Sequence, residues 1–250
     1  MKIVGIIPAR YASTRLPGKP LIDIHGKTMI QRVYEQATKA STLTEVVVAT
    51  DDERIFQHVT SFGGNVVMTS PQHASGTDRC YEALLKTGKT YDYVINIQGD
   101  EPMINPAQID ALADVLNGQV SLATLIKNAT HADELANHGE VKVVLNTKGE
   151  ALYFSRATIP FVRNATDTFG MTQHPFLLHV GTYAYRSDVL EQITKLPVSS
   201  LEKAESLEQL RWLENGFQIQ CVMTDIPVYS VDTPEDLAKV TQLIKEASSK

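Results

Sequence analysis

The feature that most constrains the fold is an abrupt change of character between residues 3 and 19. Ile3-Val4-Gly5-Ile6-Ile7 is wholly apolar, and such a short run suits a buried central strand of a parallel sheet. Beyond Pro8 the chain turns polar at once, with Arg10, Arg15 and Lys19 inside ten residues and Ser13, Thr14 and Gly18 between them. A loop leaving the carboxyl end of a buried first strand lies where open α/β sheets bind their ligands. Three cations among hydroxyls and a glycine suit an anion with several oxygens, above all a triphosphate. The alternative is a solvated basic loop. A P-loop is excluded, because Pro20 stands where Ser or Thr should follow Gly18-Lys19.

The following residues keep the alternation going. Met29, Ile30, Val33, Tyr34 and Ala37 are spaced for a helix over 28–39 capped by Thr28. Strands are predicted at 45–50 and 66–68, around a helix over 55–62 that Gly63-Gly64 closes. Asp51-Asp52 read as the cap of that helix in preference to a metal pair. This βαβαβ order predicts an α/β protein of Rossmann-like type: a mostly parallel central sheet with helices on both faces. No Gly-x-Gly-x-x-Gly follows the first strand, which argues against a dinucleotide cofactor. Further on, a strand at 93–97, a helix over 106–116 and a strand at 120–125 are expected. Runs at 141–145 and 151–160 read as a hairpin turning at Asn146-Thr147-Lys148-Gly149, the start of a smaller antiparallel lobe at about 141–186. Residues 201–211 read as one helix with Leu201, Ala204, Leu207 and Arg211 on a shared face. A strand at 219–223 and a strand end at Asp232 precede a C-terminal helix capped by Thr233, with Pro234 at its first position. With 250 residues, 43% of them hydrophobic, a single domain over 1–250 has ample core without disulfides or structural metals.

Composition also narrows the function. A net charge of −6 argues against a general nucleic-acid binder. Cys80 and Cys221 match no metal spacing and read as free thiols of a reducing compartment. No apolar run is long enough to span a bilayer, so a cytoplasmic protein with no membrane contact is expected. Three further segments carry chemistry. Ser75-Gly76-Thr77-Asp78-Arg79 opens a helix and by itself reads as a cap, with backbone N–H groups available to an acceptor. Gln98-Gly99-Asp100-Glu101-Pro102 follows a central strand, so Asp100 is either a turn residue or a Mg²⁺ ligand opposite the cationic loop. With Thr233 as the cap, Asp232 is left free to be a second ligand. His179 on a strand, and Glu208 and Gln209 on an exposed helix, read as structural residues when taken alone.

Together these segments resemble a known family. Pro8-Ala9-Arg10, then Ser-Thr-Arg-Leu-Pro-Gly-Lys-Pro-Leu over 13–21, is similar to the opening of the sugar nucleotidyltransferases. It looks most like the cytidylyltransferases that activate 3-deoxy-manno-octulosonate (KDO). Ser-Gly-Thr-x-Arg at 75–79, Gln-Gly-Asp-Glu-Pro at 98–102, His-x-Gly-x-Tyr-x-Tyr-Arg at 179–186, Leu-Glu-Gln-Leu-Arg at 207–211 and Val-Asp-Thr-Pro at 231–234 follow in the family's order. The likeness loosens at Asn137-His138-Gly139-Glu140, where the family tends to have an Asn-Pro-Asn turn. It implies a nucleotidyltransferase fold and the transfer of CMP from CTP to KDO for lipopolysaccharide synthesis. Pro8, Ala9, Arg10, Arg15, Lys19, Ser75, Gly76, Thr77, Arg79 and Asp100 would hold the nucleotide. Arg10, Lys19, Asp100 and Asp232 would be catalytic, with Mg²⁺ on Asp100 and Asp232. Gln98, Arg156, His179, Tyr183, Glu208 and Gln209 would bind the acid sugar. A homodimer through the 141–160 hairpin is also implied. A related sugar such as 8-amino-KDO, or a non-catalytic nucleotide-binding module on the same fold, remains as the alternative.

Overall fold

In the computed structural model, which describes residues 1–12 and 16–248, the N-terminal apolar run forms β1 (Ile3–Ala9), buried throughout Ile3 to Ile7. Arg15, with Ser13 and Thr14, lies outside the described residues. A ribbon of β2 (Asp23–Ile24) and β3 (Lys27–Thr28) follows, each strand too short for any alternation to be seen in the sequence. Next come α1 (Met29–Ala37), β4 (Glu45–Thr50), α2 (Glu53–Ser61), β5 (Val66–Met68), α3 (Gly76–Lys86), β6 (Tyr93–Asn96) and α4 (Pro106–Asp114). The expected caps form: Thr28, Asp52 and Ser75 each accept a backbone N–H from the first turn of their helix.

The chain divides into two compact units, residues 1–114 with 226–250, and residues 115–225. In the first, four parallel strands lie in the order β6-β1-β4-β5. The chain steps outward from β1 to β4 and β5, then returns to the other side of β1 as β6. Right-handed crossovers then require α1 and α2 on one face of the sheet and α3 on the other. The reversal makes a topological switch point at the carboxyl ends of β1 and β6, where open α/β sheets bind ligands.

The second unit is built on β7 (Leu122–Asn128), α5 (Ala132–Ala136), β8 (Lys142–Leu145), β9 (Ala151–Ser155), β10 (Leu177–Arg186), α6 (Ser187–Thr194), α7 (Ser200–Glu205), α8 (Gln209–Glu214) and β11 (Ile219–Met223). β7 pairs with β11 in parallel and with β10 antiparallel, and β8 is antiparallel to both β10 and β9. The expected hairpin is therefore present, within a body that extends beyond 141–186. The chain finishes in the first unit with α9 (Pro234–Ser248).

Two expectations are corrected. Residues 201–211 do not form one helix: the chain breaks at Ser206, which has φ 52°. The cause is remote in sequence. The Arg156 guanidinium donates to the carbonyls of Glu205 and Ser206, while the Glu205 carboxylate accepts from Ser155 and from the Arg156 N–H. Leu201 and Ala204 are consequently exposed, while Leu207 and Arg211 are buried. Nor does Asp232 end a strand. Residues 229–232 have no regular structure, and Val231 N–H donates to the Asp100 carbonyl at 2.9 Å.

Gly99 shows how closely β1 and β6 approach at the switch point. A Cβ there would lie 2.8 Å from the Pro8 carbonyl oxygen. Since that contact is with backbone, no side chain can move aside to relieve it. Gly99→Ala should lower stability by about 1–3 kcal/mol, measured by urea unfolding. An unchanged midpoint would show that the two strand ends can part freely.

Candidate active site

In the first unit the carboxyl end of β1 and the turn after β6 line a cleft of about 450 Å³, together with Lys19, Pro20 and Asp232. Lys19 joins two of its carboxylates. Its Nζ donates to Asp100 Oδ2 at 2.8 Å, to Asp232 Oδ1 at 3.1 Å and to the Val231 carbonyl at 2.8 Å. Gly18, with φ 69°, makes the turn that delivers Lys19, and its N–H closes the loop onto the Tyr11 carbonyl at 3.1 Å. The Arg54 guanidinium stacks on the Tyr11 ring, 3.3 Å from its centroid.

Asp232 is available to Lys19 because its neighbours complete the cap of α9. Asp236 accepts from the N–H groups of Asp232 and Thr233 and from the Thr233 hydroxyl, while its own N–H donates to Thr233 Oγ1. Thr233 is thus the cap, as the sequence indicated. The Asp100 and Asp232 side chains keep 27% and 37% of their exposure. Glu101 adds no full third charge: burial, and then the charge of Asp100, push its pKa up to about 8.

The other residues expected to hold a nucleotide occupy different positions around this cleft. Pro8, Ala9 and Arg10 line it, with Arg10 exposed. Ser75 caps α3, and a Cβ on Gly76 would come within 3.6 Å of the Pro8 ring, so the start of α3 lies beside the end of β1. Thr77 and Arg79 face inward. Arg79, 1% exposed, donates to Thr69 Oγ1 and to Asp51 Oδ2 at 2.9 Å. Its guanidinium braces the start of α3 against the ends of β4 and β5, and its motif residue type gave no sign of that direction. Gln98 lies on the same cleft.

In the second unit, His179 on β10 packs against Phe154 and Tyr183, with ring centroids 5.2 and 5.1 Å away. Tyr183 stacks on Tyr185 and meets Trp212 edge-on at 5.2 Å. Buried in this group, the Trp212 Nε1 has no hydrogen-bond partner among the described residues, and the Tyr183 hydroxyl faces the Thr124 side chain. Gln209 is buried at the start of α8, and Glu208 lies 3.8 Å from Arg211. Arg156 directs its donors to the carbonyls of His138, Glu205 and Ser206 and so organises the turn between α7 and α8. The sequence reading missed Trp212, although it is the chain's single tryptophan and directly follows the Leu-Glu-Gln-Leu-Arg motif.

A family model described as cytidylyltransferase matches residues 4–225. The 3-deoxy-manno-octulosonate cytidylyltransferase of Cytophaga hutchinsonii is 56% identical over 242 residues, covering 96% of this chain and 97% of that relative. The chain belongs to the 3-deoxy-manno-octulosonate cytidylyltransferase family. The enzyme of the same name from Parabacteroides distasonis is 54% identical over 96% of both chains. A solved structure of CMP:2-keto-3-deoxy-manno-octonic acid synthetase complexed with CTP is 47% identical, covers 99% of this chain and 100% of its own, and superposes with a TM-score of 0.92. Among the described residues no helix is long and apolar enough to cross a membrane.

In this member of the cytidylyltransferase family His179 is also a pH-sensitive element of the fold. Burial pushes its pKa down to about 4, from an ordinary value of 6.5. Between those pH values the unfolded chain carries a proton that the folded chain does not, so acid favours unfolding. The contribution is fully present above pH 6.5 and is lost as pH falls towards 4. His179→Gln should therefore lose less stability than the parent protein between pH 7 and pH 4.5 in urea titrations. Equal losses would mean that His179 is solvated in the folded state.

Proposed function

We propose that the chain transfers CMP from CTP to 3-deoxy-D-manno-octulosonate, releasing diphosphate and activating the sugar for lipopolysaccharide assembly. The observation that carries this reading is the Lys19–Asp100–Asp232 cluster in the switch-point cleft of a chain of this family. In the reaction the anomeric 2-hydroxyl of the sugar attacks the α-phosphorus in line. A new O–P bond forms, the bond from the α-phosphorus to the bridging oxygen breaks, and diphosphate leaves. Such transfers depend mainly on positioning and charge neutralisation. Arg10 and Lys19 supply positive charge for the triphosphate and the leaving diphosphate, with Arg15 on the same loop. Backbone N–H groups at Ser75 and Gly76 offer donors to the nucleotide, while Thr77 and Arg79 support that helix start from behind.

Asp100 and Asp232 are the residues that would hold Mg²⁺. They already share one cation, both are partly exposed, and Mg²⁺ takes one or two carboxylates and completes its shell with phosphate oxygens and water. The ion would neutralise phosphate charge and acidify the attacking hydroxyl. A triphosphate in the cleft competes with the two aspartates for Lys19, so one ammonium serves the carboxylates in the free enzyme and the phosphates in the complex. Gln98, His179, Tyr183, Gln209, Glu208 and Arg156 are assigned to the acid sugar, Arg156 by shaping the turn before α8. The reading also includes a homodimer through the β8–β9 hairpin, where Leu152 is 60% exposed. A cytoplasmic location belongs to it as well, consistent with two buried free thiols.

Diphosphate release with CTP, UTP and a panel of acid sugars including 8-amino-KDO tests the activity. CTP with KDO should be preferred, and comparable turnover with UTP would overturn the base assignment. Asp100→Asn and Asp232→Asn should each lower kcat by about 100-fold or more, about 2.7 kcal/mol of transition-state stabilisation, with little change in CTP affinity. Near-normal turnover with a lowered melting temperature in Asp232→Asn would make that residue structural.

A further inference from the structure

An irregularity in β10 determines how His179 is presented. Between Val180 and Tyr183 the register of β10 against β7 shifts, the mark of a bulge. Across it, the carbonyls of Val180 and Thr182 both lie within reach of the Thr124 hydroxyl, at 3.2 and 2.9 Å. His179 Nε2 lies 3.0 Å from the same hydroxyl oxygen. Thr124 is fully buried on β7, and Val180 and Thr182 are 5% and 1% exposed.

A hydroxyl has one proton to donate and two lone pairs with which to accept, whereas a carbonyl can only accept. The Thr124 proton therefore goes to the carbonyls, Thr182 being the closer. If it went to His179 instead, two buried carbonyl oxygens would face a hydroxyl lone pair, an arrangement with a high cost in a water-free setting. Nε2 must then carry a hydrogen and donate it to Thr124 Oγ1. Nδ1 retains its lone pair, and among the described residues no hydrogen-bond donor meets it. Burial between Phe154 and Tyr183 keeps the ring neutral.

We infer that Thr124 is a positioning residue that fixes His179 as the neutral Nε2–H tautomer, so that Nδ1 accepts a hydrogen bond from a hydroxyl of the sugar acid. His179 would then read a donor on the substrate and form no ion pair with its carboxylate. This rests on the proposed placement of His179 in the sugar subsite. Thr124 lies in a predicted strand outside every motif of the sequence, and its role comes from the bulge opposite it.

Long-range ¹H–¹⁵N correlation spectra of histidine-labelled free enzyme test the tautomer directly, with His179→Gln assigning the signal. Nε2 should be protonated and Nδ1 unprotonated in the parent protein at neutral pH. Thr124→Val, which keeps the branched shape and removes the hydroxyl, should give mixed tautomers and raise KM for the sugar about ten-fold. KM for CTP should stay within about two-fold, and Thr124→Ser should restore both the spectrum and the sugar KM. An Nδ1–H tautomer or a charged ring in the parent protein would overturn the positioning role, whether or not Thr124→Val folds. The expected tautomer, with an unchanged sugar KM in His179→Ala, would overturn the acceptor role by removing His179 from the subsite.

Discussion

The first unit is organised around one ammonium group held by two carboxylates and a carbonyl. Lys19 meets Asp100 and Asp232 across 81 and 213 residues of chain, joining the loop after β1, the turn after β6 and the segment before α9. Partly exposed ion pairs of this kind contribute little to stability, about 0–1 kcal/mol each. Their consequence is geometric. Without a cation between them, two aspartates would repel each other at the mouth of the cleft, and Lys19 keeps them together.

Several other features make sense around that cluster. The closeness of Gly99 to the Pro8 carbonyl places Asp100 beside the end of β1. The mutual bonds of Thr233 and Asp236 meet the needs of the first turn of α9. Burial holds Glu101 largely neutral at physiological pH, which limits the negative charge beside the pair. Arg79 ties the start of α3 to the ends of β4 and β5, so the Ser75–Gly76 backbone rests on a partly buried ion pair. In the second unit β10 takes the place of the loop: its bulge sets the direction of His179, and Tyr183 and Trp212 enclose the region.

What could be read in the sequence was local. Thr28, Asp52, Ser75 and Thr233 were legible as caps because a cap depends on one side chain and the next few N–H groups. The parallel order of the first four major strands was legible from apolar runs of the right length separated by amphipathic helices. The break at Ser206 was not, because it depends on Arg156, 50 residues away. The path of residues 229–232 was also hidden, since Val231 is held by Asp100 and Lys19, both far away in sequence. At the site, motif order identified Lys19, Asp100 and Asp232 without showing that they touch. It gave Arg79 as a nucleotide residue without revealing that the guanidinium points into the protein. Thr124 had no local signal at all.

The most direct test of the Lys19–Asp100–Asp232 cluster as a site that exchanges its ammonium for a metal ion is anomalous diffraction from crystals grown with CTP and Mn²⁺. A manganese peak should appear with Asp100 and Asp232 as ligands, and Lys19 Nζ should have moved from the carboxylates to the triphosphate. Manganese bound elsewhere, with Lys19 still bridging the two aspartates, would contradict that assignment.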